Sequence, residues 1–142
     1  MKVIKLYTDG GSRGNPGPAA IGVIIRAEDG SVLGEYGRHI GIATNNEAEY
    51  QALVYGLELV SHYTPCAVEV YLDSELVCNQ VNGSYKIKDA KLIPHYQNIM
   101  QARLGFKSFS CRHIPRERNT DADRLVNVAL DTATAAKKRS LT

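Results

Sequence analysis

A single α/β domain built on a mixed sheet is what this sequence predicts, and three observations predict it. Apolar, β-branched runs at residues 3–7 and 20–25 are followed by a third extended run after an Asp-Gly turn, the pattern of an antiparallel meander. A long stretch of helical period then separates this meander from an alternating run at 67–72, the pattern of a crossover to a parallel neighbour. Two of the strand-like runs lead directly into aspartate, Asp9 and Asp73, a residue type ill suited to a sheet.

The first strand is expected over Val3–Tyr7, where apolar and polar residues alternate. After Asp9, four glycines and two prolines fall within residues 10–18, so the backbone is expected to turn sharply and lie close to something. Asp9 is then either a turn former or a carboxylate facing a metal ion or a phosphate backbone. Ala20–Ile25 reads as the second strand, Glu28-Asp29-Gly30-Ser31 as a turn, and Val32–Arg38 as the third strand.

Thr44-Asn45-Asn46 is a cluster of capping residues, and a helix is expected from about Glu47 to Tyr63. Helical spacing places Glu49 on one face with Ala52, Leu53, Gly56 and Val60. A first-turn Glu can serve the helix dipole and reach water, whereas an unpaired carboxylate on a buried face calls for a cation. Ala67–Leu72 is the fourth strand, and a right-handed crossover would bring Asp9 and Asp73 out side by side. Ser74 can cap a short helix to about Val81, stopped by Asn82-Gly83.

Tyr85-Lys86-Ile87-Lys88 is locally basic, either a solvated face or a phosphate-contacting segment. A helix over about Leu92–Leu104 tolerates Pro94 in its first turn. Lys107–Ile114 is the fifth strand, 115–119 a charged loop, and Thr120 opens the last helix. Thr120 with Asp123 resembles a capping box, which would account for Asp123 without chemistry.

At 142 residues the chain fits one domain, expected over 1–134, with a basic and flexible tail over 135–142. No apolar run approaches membrane-spanning length, and the first strand begins too early for a signal peptide. Cys66, Cys78 and Cys111 are odd in number and lack any Cys-x-x-Cys pair, which argues against a disulfide framework or a zinc site. A reducing, cytoplasmic setting is expected. The net charge of +2 does not by itself announce a nucleic-acid binder.

Four acids therefore occupy comparable places: Asp9 and Asp73 at strand ends, Glu49 and Asp123 in helix first turns. Gathered at one sheet edge they would repel one another unless cations joined them, and hard oxygen ligands suit Mg²⁺. The segments carrying them are Asp-Gly-Gly-Ser-Arg-Gly-Asn-Pro-Gly-Pro (9–18), Thr-Asn-Asn-Glu-Ala-Glu-Tyr (44–50), Asp-Ser-Glu-Leu-Val (73–77) and His-Ile-Pro-Arg-Glu-Arg-Asn-Thr-Asp-Ala-Asp-Arg-Leu (113–125). In order and spacing, from about Lys2 to Ala133, these resemble the successive motifs of type 1 ribonuclease H.

The resemblance implies the ribonuclease H-like fold, an α/β architecture with a five-stranded mixed sheet in order 3-2-1-4-5 flanked by helices. It implies an endonuclease that cuts the RNA strand of an RNA–DNA hybrid with two Mg²⁺ ions, or Mn²⁺, leaving 5′-phosphate and 3′-hydroxyl ends. By motif position Asp9, Glu49, Asp73 and Asp123 are the catalytic, metal-binding acids. Asp9 and Asp73 would hold both ions, Glu49 one and Asp123 the other. Gly11, Ser12 and Asn15 match the loop along the minor groove, and Asn45 and Asn46 the pair that contacts the two strands, although Asn at a helix start also needs no ligand. Thr44, Ser74 and Asn119 are further expected substrate contacts, with Ser84 and Lys86 as phosphate contacts. Asn119 and Glu117 could also approach the second metal's waters. His113 takes the place of a loop histidine that assists product release, the alternative being a histidine packed at a strand terminus.

One departure is plain: the chain has no Trp and lacks the basic, tryptophan-bearing protrusion of longer bacterial members. In that respect it is similar to shorter archaeal-like and actinobacterial members. An RNA–DNA hybrid is the expected partner, with no membrane and no obligate protein partner, and the chain is expected to be a monomer. The rival readings are another nuclease of the same fold superfamily and a non-catalytic hybrid-binding module.

Overall fold

The computed structural model describes residues 2–140, with side chains described through residue 135. Five strands form one sheet: β1 (Val3–Ser12), β2 (Gly17–Ala27), β3 (Val32–Ala43), β4 (Ala67–Leu72) and β5 (Phe109–His113). Their order is β3-β2-β1-β4-β5. The β1–β2 and β2–β3 pairs are antiparallel, whereas β1–β4 and β4–β5 are parallel. Four helices accompany the sheet: α1 (Asn45–Val60), α2 (Glu75–Val81), α3 (Ile93–Arg103) and α4 (Thr120–Ser140). This is the α/β sheet order expected from the motifs.

Each strand that meets α1 alternates as its sequence does. Ile4, Leu6, Val68 and Val70 bury one face of β1 and β4 against Leu53, Leu57 and Val60 of α1. Each such side chain contributes about 1.5–3 kcal/mol when withdrawn from water, so this layer dominates the fold's stability. On the opposite face α4 packs Val126 and Leu130 against Ala20 of β2. α4 is further tied to the sheet by Arg13–Asp131 at 2.6 Å, Arg26–Asp121 at 2.8 Å and Arg124–Glu35 at 3.6 Å. Such surface pairs stabilise by at most about 1 kcal/mol each, but three of them on one helix hold its position over the sheet.

Two glycines let backbone meet backbone. A Cβ on Gly10 would lie 2.2 Å from the Ala48 carbonyl carbon of α1. One on Gly22 would lie 2.2 Å from the Ala122 carbonyl oxygen of α4. Both helices therefore sit closer to the sheet than any larger residue would permit, and each does so beside an acid: Glu49 follows Ala48, and Asp123 follows Ala122.

This close packing also explains where the expected elements differ. β1 does not end at Asp9; pairing continues through Asp9↔Gly22, Gly10↔Ile21 and Ser12↔Ala19. The glycines there make room for helices rather than a turn, Gly10 for α1 and Gly11 for Val126 of α4, and the turn comes only after Ser12. β3 likewise extends beyond Arg38 to Ala43, with a register shift at Ala19/Ala20.

α1 starts as its sequence suggests. The Thr44 hydroxyl accepts the Glu47 N–H at 3.1 Å, and the Glu47 carboxylate accepts the Thr44 N–H at 3.0 Å. α4 does not: the Asp123 N–H donates to the Asn119 carbonyl at 3.1 Å, which makes Asn119 the cap and Thr120 the first helical residue. The capping box expected of Thr120 and Asp123 does not form, and the Asp123 carboxylate is left for other use. α4 continues through Ser140, into the segment the sequence suggests as a separate tail. Leu141 and Thr142 lie outside the described residues. Among the described residues no helix is long and apolar enough to cross a membrane.

Candidate active site

Parallel register sets the first pair of acids. Tyr7 is paired with Tyr71, so two residues further along each strand Asp9 stands beside Asp73. Tyr7 and Tyr71 stack with ring centroids 5.0 Å apart, fixing the two strands immediately beneath the carboxylates. The backbone contact at Gly10 then delivers Glu49 from the first turn of α1, and one ligand oxygen from each of Asp9, Glu49 and Asp73 falls within 4.8 Å of the others. Asp9 and Glu49 are each only 6% exposed.

Asp123 enters from the opposite side, on α4. It lines the same cleft of about 420 Å³ as Asp9, Glu49, Asp73, Ser74 and Arg116. Its carboxylate lies 3.7 Å from the Arg116 guanidinium. All four acids predicted by motif position thus face one cleft, three as a tight set and Asp123 at its wall.

The electrostatics follow from that geometry. Burial, then the nearby charges of Asp73 and Asp123, push the Asp9 carboxyl up to about 8. Burial, then Asp9 and Asp73, raises Glu49 well above the usual carboxylate range. Burial also raises Asp73, against the opposing pull of Asn119 and Arg116. Burial and mutual repulsion thus favour the protonated forms of these carboxyls, an effect that a bound cation would oppose. A set of carboxylate oxygens that cannot all ionise together, open to a polar cleft, fits a hard divalent cation by donor chemistry and by charge.

The rim of the cleft is a hydrogen-bonded knot of the expected substrate contacts. The Ser12 hydroxyl donates to the Ala43 carbonyl at 2.8 Å, and the Ser12 N–H to Asn45 Oδ1 at 3.2 Å. The Asn45 N–H donates to Asn15 Oδ1 at 3.0 Å. Ser12, Asn15 and Asn45 thus brace one another across β1, its loop and the start of α1, while Gly11 lines the cleft beside them. Thr44 spends its hydroxyl on the cap of α1. Ser74 caps α2 by accepting the Val77 N–H at 3.2 Å and also lines the cleft.

A second groove of about 480 Å³ lies alongside, lined by Asn46, Leu76, Ser84, Tyr85, Lys86 and Lys88. Its floor is held by a buried chain in which the Tyr50 hydroxyl donates to Gln80 Oε1 at 2.7 Å and Gln80 Nε2 donates to the Lys86 carbonyl at 3.4 Å. Tyr85 is 51% exposed on this groove's edge. Asn46, Ser84 and Lys86 are therefore brought together, apart from the acids.

Two expected residues stand elsewhere. His113 ends β5 and is exposed; it pairs with Leu72, the residue before Asp73, without lining the cleft itself. Asn119 is 2% exposed and its Nδ2 donates to the Thr8 carbonyl at 2.8 Å, which places it beneath the site rather than on its surface. Arg116, to which the sequence assigns no role, lines the cleft together with Arg13 and is the one beside Asp123; nothing in its local spacing distinguishes it from Arg118, because its direction is set by the turn at Arg116–Arg118.

Similarity to known proteins agrees with this picture. Residues 7–129 match the family described as reverse transcriptase-like. The chain is 42% identical over 130 residues to ribonuclease HI of Halobacterium salinarum, covering 92% of this chain and 65% of that protein. It is 42% identical over 134 residues to a bifunctional protein of Mycobacterium tuberculosis, covering 94% of this chain and 36% of that one. The chain thus spans about two thirds of the first relative's length and about a third of the second's. The solved RNase H1 of H. salinarum superimposes with a TM-score of 0.89 at 41% identity, covering 92% of this chain and 98% of that one. LC11-RNase H1, solved with an RNA/DNA hybrid, superimposes with a TM-score of 0.88 at 44% identity, covering 92% and 99%. The chain belongs to the type 1 ribonuclease H family.

Proposed function

We propose that the chain is an endoribonuclease that hydrolyses the RNA strand of RNA–DNA hybrids with two divalent cations, Mg²⁺ or Mn²⁺, leaving 5′-phosphate and 3′-hydroxyl ends. The observation that carries this reading is the convergence of Asp9, Glu49 and Asp73 within 4.8 Å, with Asp123 facing the same cleft. The solved hybrid complex of LC11-RNase H1 supports the choice of substrate.

Asp9 and Asp73 would bind both cations, Glu49 one and Asp123 the other. Bound there, the cations would supply the acidity that makes water a nucleophile and the positive charge that offsets the leaving 3′-oxygen. The chain's own part is placement. Asp9, Glu49 and Asp73 come from elements fixed by core packing, so the carboxylates are oriented before substrate arrives. Arg116 offers a cation at the wall where a phosphate would enter. The braced rim of Gly11, Ser12, Asn15 and Asn45 presents backbone and amide groups to a minor groove, where the 2′-hydroxyl distinguishes RNA from DNA. Asn46, Ser84, Tyr85, Lys86 and Lys88 form the grip on the second strand that replaces the missing protrusion. Three buried, free cysteines fit a reducing, cytoplasmic setting, and nothing in the cleft requires a second copy of the chain.

The test is cleavage of an end-labelled RNA–DNA hybrid, with matched double-stranded RNA and DNA, in Mg²⁺, Mn²⁺ and EDTA. Metal-dependent cutting confined to the hybrid's RNA strand is expected. Hybrid binding without cutting in either metal would replace this reading with that of a binding module.

A further inference from the structure

The cleft chemistry leaves the buried polar residue Asn119 unused. Asn119 is 2% exposed, yet its Oδ1 has no hydrogen-bond partner. A buried amide with an orphaned acceptor is costly, so its donor side must be worth keeping. Nδ2 donates to the Thr8 carbonyl at 2.8 Å, and that carbonyl belongs to the peptide unit leading into Asp9. The Asn119 backbone carbonyl accepts the Asp123 N–H at 3.1 Å and so begins α4. The Asn119 side chain and carbonyl therefore touch the supports of two of the four acids, although β1 and α4 are distant in sequence.

We propose that Asn119 is a positioning residue that sets the mutual orientation of Asp9 and Asp123 for cation binding, and that it does not contact substrate. The inference rests on the cation reading of the cleft. Its chemistry is specific to an amide. A carboxylate in this place would repel the Thr8 carbonyl, and a serine hydroxyl is too short to take the place of the amide. Neighbours that orient ligating carboxylates act through metal affinity rather than through substrate affinity.

The experiment titrates Mn²⁺ into the full chain and into Asn119→Ser, which keeps a helix-capping residue, each first shown to be folded by circular dichroism. The Mn²⁺ dissociation constant is expected to rise about ten- to a hundredfold in the variant. The KM for hybrid should stay within about twofold while kcat falls. Asn119→Ala serves if the Ser variant does not fold. A lowered melting temperature with unchanged Mn²⁺ affinity would make Asn119 a purely structural anchor and overturn the proposal. A raised KM with unchanged Mn²⁺ affinity would make it a substrate contact and overturn it equally. Failure of the unmutated chain to bind Mn²⁺ would remove the cation reading, and this inference with it.

Discussion

The cleft has two walls of different construction. One wall, made by β1, β4 and α1, is buried: Asp9 and Glu49 are each 6% exposed, and their elements meet backbone to backbone at Gly10. The other wall, made by the start of α4 and the loop before it, is open: the Arg116 side chain is 80% exposed and Asp123 32%. Buried acids so close together are costly without cations and rigid with them, whereas an open acid paired with an arginine can adjust to substrate. The difference separates residues that create the chemistry from residues that tune it.

The sharpest way to break that comparison is to neutralise one acid on each wall. Asp9→Asn or Asp73→Asn should lower hybrid cleavage by more than about a thousandfold while leaving the fold intact or slightly stabilised, because repulsion is relieved. Asp123→Asn should cost roughly ten- to a hundredfold, since an open ligand is more readily replaced by water. Single-turnover rates on one hybrid measure both; equal losses would erase the distinction between the walls.

Gly10→Ala probes the rigid wall without touching a charge. The added Cβ would sit 2.2 Å from Ala48 backbone and 2.5 Å from the Glu49 nitrogen, so α1 must move away. A loss of about 3 kcal/mol in chemical denaturation is expected, with cleavage falling as Glu49 shifts.

Stability against pH sharpens the contrast further. Folding raises the Asp9 carboxyl from 3.8 to about 8, so the folded chain holds a proton there that the unfolded chain releases. In EDTA the melting temperature should fall as pH rises from about 4 to about 8, apart from other groups, because the folded-state preference for that proton is progressively lost. Asp9→Asn should flatten this slope, and saturating Mg²⁺ should reduce it by taking the proton's place. Asp123→Asn should change it less.

The smallest effect is expected at the second groove. Lys86→Ala should raise the KM for hybrid about two- to fivefold and reduce the salt dependence of binding by about one counterion, with kcat unchanged. Fluorescence titration at several ionic strengths reads both quantities.

The buried wall was the more legible in sequence. Asp9 and Asp73 follow strand-like runs, Glu49 falls on the apolar face of a helix, and these local periods already require a meeting place. The helix starts at Thr44 and Ser74 follow from equally local signals, whereas the full sheet order comes from the resemblance of the motifs to a known family. Other features depend on distant packing. Strand β1 runs past Asp9 because Gly10 packs against α1 and Gly11 against α4, which no spacing within residues 9–18 discloses. The cap of α4 falls on Asn119 rather than Thr120 because the Asn119 side chain is drawn to the Thr8 carbonyl across the sheet. For the same reason Asn119, expected as a substrate contact, lies buried. Arg116 stands three residues after His113, the last residue of β5, and the turn following Pro115 brings the arginine to the cleft wall.

The most direct test is to crystallise the chain with Mn²⁺ and a non-cleavable RNA–DNA hybrid and to locate the metal by its anomalous scattering. The account predicts two peaks about 4 Å apart, ligated by Asp9 and Asp73 and flanked by Glu49 and Asp123. Peaks away from these carboxylates, in a protein that still cuts the hybrid, would contradict it.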